Sequence, residues 1–291
     1  MSAGLGIVIL LAAEGQIRKF YSLSEVSTFD TVDFCLKATS GISFVRHVDG
    51  GNPLSIFGNP DLEKINPSFD AETVGRTCKV NLELNEYRES ELGDGLAFAV
   101  LKSNEEDEEN FWKFLLNDSK IYNLDLNYGI GNSDIDLSGT HVAHLKVTTG
   151  SADVKVSYNR DIANKTLMDT FQIKVDVGTF IGEKLGRARA ANVITEVGFG
   201  QALLDFSSDV LEKCDVKATV GAGTLKIILP RDSPVIIHIK ESPLCKVTVA
   251  KGYEEVENNV YVNKNYDIWA ERILTLRVDV ALGSVDFVYG D

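Results

Sequence analysis

One short phrase, written five times, does most to limit what this chain can fold into. Tyr128–Leu137 reads YGIGNSDIDL and Val147–Val156 reads VTTGSADVKV. Val197–Phe206 reads VGFGQALLDF, Val220–Leu229 VGAGTLKIIL and Val280–Tyr289 VALGSVDFVY. Each has an apolar or aromatic residue, a glycine three positions on, and then an alternating run. Alternation of period two marks a strand with one buried face. It continues between the phrases, as at Ile173/Val175/Val177, Val216/Ala218/Val220 and Leu274/Leu276/Val278. Spacing then decides how the strands assemble. Gly131 to Gly150 is 19 residues, Gly178 to Gly200 is 22, and Gly200 to Gly223 is 23. An antiparallel sandwich turns every 8–12 residues or so, with no repeated turn sequence. A repeat near 20 residues carrying two short strands fits an all-β parallel β-helix, or β-solenoid. There each coil buries its inward side chains only by stacking on the next. Gly131, Gly150, Gly178, Gly200, Gly223 and Gly283 are then coil corners, expected there because glycine takes φ > 0 without steric cost. The longer intervals 150–178 and 223–283 read as coils with insertions, or as two coils whose middle glycine has moved. Gly252 is a candidate for the moved glycine.

Before residue 119 the pattern is β-rich but less regular. Thr77–Tyr87 alternates cleanly, with Val80, Leu82 and Leu84 on one face. Asn104–Asp118 fits one short helix behind an asparagine cap, or a strand behind an acidic loop. Ile181–Asn192 interrupts the strands as a loop or a single helical turn. Leu5–Ala13 is an unbroken apolar run of nine, too short to cross a bilayer but suited to a signal-peptide core. Small residues at Ala13 and Gly15 would admit cleavage before Gln16, although no Lys or Arg precedes the run; a buried first strand is the other reading. The expected organisation is a signal peptide over 1–15, early solenoid coils over 16–118 and a regular solenoid over 119–291.

The chain carries 29 basic and 43 acidic residues, a formal net charge of −14. That balance argues against nucleic acid and against anionic lipid, both of which need Lys and Arg. Cys35, Cys78, Cys214 and Cys245 form no zinc spacing. In an exported chain they could pair as Cys35–Cys78 and Cys214–Cys245, the partners nearest in sequence, or remain small buried hydrophobes.

The strands TTGSADVKV, EVGFGQALLDF, VGAGTLKIILP and LTLRVDVALGSVDFV resemble toast-rack domains and head-GIN auto-transporter adhesins of bacterial cell surfaces. LiaF-like envelope-stress regulators end in similar sequence. The likeness is good over 122–291 and faint over 28–102. It implies a right-handed β-solenoid, exported or membrane-associated, with no enzyme activity and no agreed ligand. The chain lacks the transmembrane helices that flank the domain in membrane-anchored relatives.

Chemical motifs are sparse. GIGNSD and GAGTLK lead into strands, so no helix N-terminus completes a phosphate cradle and no nucleotide cofactor is expected. His141 and His144 are three apart in a strand and face opposite ways, so no metal site is expected. No GxSxG or HExxH occurs. Asp134 and Asp136, with Asp153 from a neighbouring coil, are the only approach to the paired acids of a carbohydrate-active enzyme. They fit a solvated outer face equally well. Outward aromatics are the remaining candidates for binding an extended glycan or protein: Tyr128, Tyr158, Tyr261 and Tyr266, with Tyr253, and with Trp269 read rather as covering the solenoid's end. The function expected is a non-catalytic, exported interaction protein, adhesin-like, at the cell surface or in the periplasm. The alternatives are a carbohydrate-active enzyme and an envelope-stress regulator.

Overall fold

The computed structural model describes residues 6–7 (backbone only), 19–24, 28–60, 65–86, 111–159, 162–208 and 210–290. Among the described residues the regular structure is all strand apart from one 3-10 turn at Leu185–Ala188. That turn falls inside the 181–192 break anticipated from sequence.

The N-terminal strands are β1 (Gly6–Ile7), β2 (Lys19–Ser22), β3 (Thr31–His47), β4 (Leu54–Asn59), β5 (Ile65–Val74), β6 (Thr77–Glu86) and β7 (Phe111–Leu116). β7 settles one open reading: the apolar part of 104–118 is a strand. Trp112, Phe114 and Leu116 alternate inward with Lys113 outward. Residues 104–110 of that segment lie outside the described residues. Next come β8 (Ile121–Asp136), β9 (Val142–Thr149), β10 (Asp153–Ser157), β11 (Met168–Val175), β12 (Thr179–Glu183), β13 (Ala190–Val197) and β14 (Gln201–Asp205). The chain ends with β15 (Cys214–Val220), β16 (Thr224–Leu229), β17 (Val235–Glu241), β18 (Lys246–Thr248), β19 (Glu254–Glu257), β20 (Val260–Val262), β21 (Leu274–Val280) and β22 (Ser284–Tyr289).

These strands build a parallel β-solenoid with two faces. Each regular coil runs along a long face, turns a tight corner and continues along a short face. On the long face β3, β8, β9, β11, β13, β15, β21 and β17 pair in that order, all parallel. On the short face the second halves of β3 and β8 continue into β10, β12, β14, β16, β22 and β18. The core lies between the faces. Phe171 on β11 meets Phe180 on β12 edge-on at 6.1 Å, and both are fully buried.

The coils are not stacked in the order in which they are written. β21–β22, the last in sequence, sits between β15–β16 and β17–β18. The long 223–283 interval is thereby explained: Gly223 and Gly283 are stacking neighbours, and residues 231–273 form a cap beyond them. Gly252, the candidate for a displaced corner glycine, instead lies in the loop between β18 and β19. The other end repeats the arrangement. β3, the first long strand, lies between β8 and the later β6 and β7. The caps turn antiparallel at their margins, with β5 on β6 and β19 on β20. Pro67 within β5, and Glu254, Glu255 and Glu257 along β19, discourage further strand addition at those edges.

The corner glycines are required for a reason other than the one expected. Of the six, only Gly131 has a positive φ, 116°; it pairs with Gly41, φ 120°, where β3 and β8 bend through the corner unbroken. At Gly178, Gly200, Gly223 and Gly283 the constraint is close approach. A Cβ on Gly200 would overlap the carbonyl oxygen of Gly178, one on Gly223 that of Gly200, and one on Gly283 that of Gly223. Gly150 is looser, with the Gly129 oxygen 3.1 Å from where its Cβ would be.

Candidate interaction surface

Parallel pairing in register stacks equivalent residues into columns, so the outer surface is a set of columns about 4.8 Å apart along the axis. The acids singled out from sequence lie on the short face. Asp134 stands opposite Lys155, and Asp153 stands opposite Asn132. Asp134 is held by Arg46 at 3.1 Å, and the same guanidinium donates to the Asp134 carbonyl. The Asp136 carboxylate accepts from the Ser138 backbone N–H and hydroxyl at 3.0 and 2.6 Å. Lys155 reaches the next coil to pair with Glu183 at 2.8 Å. The three acids thus share one face, as expected, but two are engaged in fixing arginine and a turn. The space over Asp134 and Asp153 is a shallow depression of about 330 Å³, bounded by Ile42, Phe44, Lys155 and Ile181 as well. A second depression of about 290 Å³ lies on the long face over Asp33, Cys35, Asn123, Asp125, His144 and Lys146. There Lys146 pairs with Asp125 at 3.0 Å.

His141 lies just before β9 and His144 within it. His141 Nδ1 lies 3.1 Å from the Thr166 hydroxyl, and burial lowers its pKa. His144 is exposed, 3.8 Å from Asp169. Among the described residues no cluster of three His, Cys, Asp or Glu side chains could hold a metal ion.

The aromatic candidates need correction. Tyr128 is buried, because it continues the inward phase of Tyr122, Leu124 and Leu126 along β8. Its hydroxyl meets those of Ser43 at 3.2 Å and of Ser133, which themselves lie 2.8 Å apart, and burial raises its pKa. Tyr158 follows Val154 and Val156 inward and is fully buried; among the described residues its hydroxyl has no partner. Tyr261 lies opposite the inward Ile237 and packs against the same core. Tyr253 also packs there, with its ring 5.8 Å from that of Tyr289. Tyr266 is half-buried in the cap loop. Trp269, read as an end cover, is 87% exposed on a turn fixed by Asp267.

All four thiols are free. The suggested pairs fail on geometry. Cys78 stands opposite Val32 and points inward, whereas Cys35 is three registers away and points outward. Cys214 opens β15 opposite Leu274, while Cys245 sits at the far corner beside Gly283. Burial pushes the Cys214 thiol up to about 12.

The surface feature missed in the sequence is the corner itself. The residue beside the corner glycine, at the tip of each turn, is exposed. Register places Ile130, Ser151, Val177, Phe199, Ala222 and Leu282 in one column. Val177, Phe199 and Leu282 are 61%, 77% and 59% exposed, and Leu244 in the next corner is 75% exposed. The signal was present in GFG and GAG, where a side chain between backbone-only neighbours has nothing to pack against.

Residues 63–183 match the family model described as the N-terminal domain of toast_rack, DUF2154. Over that stretch the chain carries a toast-rack N-terminal domain. The matched stretch runs from the cap strands β5–β7 through three regular coils to β12. A crystal structure of a "putative cell adhesion protein" from Clostridium sporogenes is similar over 95% of this chain and 100% of that one, at 13% identity and a TM-score of 0.45. No curated protein matches the sequence. Among the described residues no helix is long and apolar enough to cross a membrane.

Proposed function

We propose that the toast-rack solenoid is an exported, non-catalytic interaction module that meets an extended protein or glycan at the cell envelope. The observation that carries this reading is the pair of open faces. On both, outward side chains recur in register at one-coil spacing, and an extended partner can follow them over many coils. The engaged state of Asp134 and Asp136 on an open face agrees with a surface that binds rather than cleaves. Export is supported by the apolar run Leu5–Ala13. Gly6–Ile7 pairs with Tyr21–Ser22, so cleavage before Gln16 would cost the fold one two-residue strand; the rest of 1–15 lies outside the described residues.

The test is cell fractionation with mass measurement of the mature N-terminus, followed by a glycan and envelope-protein array. Recovery in an extracytoplasmic fraction, with saturable binding abolished by Lys155→Glu or Lys146→Glu, is the expected result. Confinement to the cytoplasm would overturn the reading, and so would hydrolysis of an arrayed glycan lost in Asp134→Asn.

A further inference from the structure

The apolar corner ridge has no role in a module that binds through its faces. From Ile130 to Leu244 it crosses seven coils, a line of about 30 Å. Its exposed side chains present on the order of 500 Å² of apolar surface, near the upper end for a monomeric protein. Its profile is uneven in an informative way. Phe199, the largest tip, stands beside Ala222, the smallest apolar tip, which is flanked by Gly221 and Gly223. The ridge therefore has a knob and a notch in adjacent coils.

We propose that the ridge is a dimer interface, occupied by a second copy of this chain lying antiparallel. Consider a two-fold axis passing between the Phe199 and Ala222 coils. It sets each Phe199 into the notch over the partner's Ala222, and each Val177 against the partner's Leu282. The flanking charges agree. In the long-face column beside the ridge the order is Lys174, Glu196, Thr219, Asp279, Lys240. The same axis brings Lys174 opposite the partner's Asp279 twice and puts Glu196 opposite Thr219. Shifting the axis onto the Ala222 coil would instead set Lys174 against Lys240 and Glu196 against Asp279. The column balances to within one charge if Asp176 at the corner is included, so the chain's net −14 does not concentrate here. A single line of self-complementary residues suits a closed two-fold pair.

The test is sedimentation of the full chain across micromolar concentrations, with circular dichroism as a fold control. Wild type is expected to be dimeric. Phe199→Asp, and separately Ala222→Trp, should raise the dissociation constant at least tenfold with the spectrum unchanged. The exchange variant Phe199→Ala/Ala222→Phe swaps knob and notch and should restore the dimer. A wild type that stays monomeric throughout would overturn the proposal and assign the ridge to another occupant, such as lipid or an unrelated protein. So would a dimer indifferent to Phe199→Asp, or an exchange variant that fails to recover. None of these outcomes depends on export or on a glycan.

Discussion

A missing methyl group sets how closely these coils approach. Gly200→Ala and Gly223→Ala each force a Cβ into the carbonyl of the coil below, which is backbone and cannot swing aside. Each should cost about 2–4 kcal/mol in urea unfolding. Gly221→Ala, with 3.0 Å to the Gly198 oxygen, should cost less. The glycines were legible from spacing, but the reason was not. Periodicity reveals that a corner exists, whereas φ and interlayer approach are settled only once coils are stacked. Tyrosine shows the same limit. Tyr128, a candidate outward aromatic, is in phase with Leu124 and Leu126 and points inward. Its removal as Tyr128→Phe strips a partner from Ser43 and Ser133 and should cost about 1–2 kcal/mol. Tyr158→Phe, which loses an unpartnered hydroxyl, should be neutral or stabilising in the same assay.

At the level of strands, alternation marked the regular coils well, since β9 to β16 each carry one buried and one solvated side. It did not give their order. Nothing in residues 223–283 states that the last coil enters between two others, because parallel neighbours are chosen by shape and register across long separations. The fold makes this measurable. β21 is hydrogen-bonded on both sides, by β15 and β17, and so is an interior strand of the long face. Hydrogen exchange should find amides of 274–280 as protected as those of β15. Fraying at β21 before β15 would contradict the observed order. β7 shows local context misleading in another way: the acidic run before it suggested a helix start, but Trp112, Phe114 and Leu116 fill the interior on alternate positions.

Over the whole molecule, four tyrosines bound the alkaline range. Burial holds the hydroxyls of Tyr122, Tyr128, Tyr158 and Tyr253 above the ordinary value near 10. Unfolded, they ionise about pH 10. Above that pH the unfolded chain binds fewer protons than the folded one, so stability is complete below about pH 10 and falls as pH climbs toward the folded values. Phenolate absorbance and circular dichroism should change together in an alkaline titration. Ionisation of all nine tyrosines near pH 10 with the spectrum intact would contradict their burial.

The position of the last coil also has a meaning in time. A ribosome or a secretion channel delivers residues 235–262 before 274–289, so the C-terminal cap emerges before the layer on which it must rest. Until the final strands arrive, β15 and β16 present bare edges and the cap has nowhere to dock. Closure therefore waits for β21 and β22, and a product that stops short of β22 is left with an open stack that proteases can recognise.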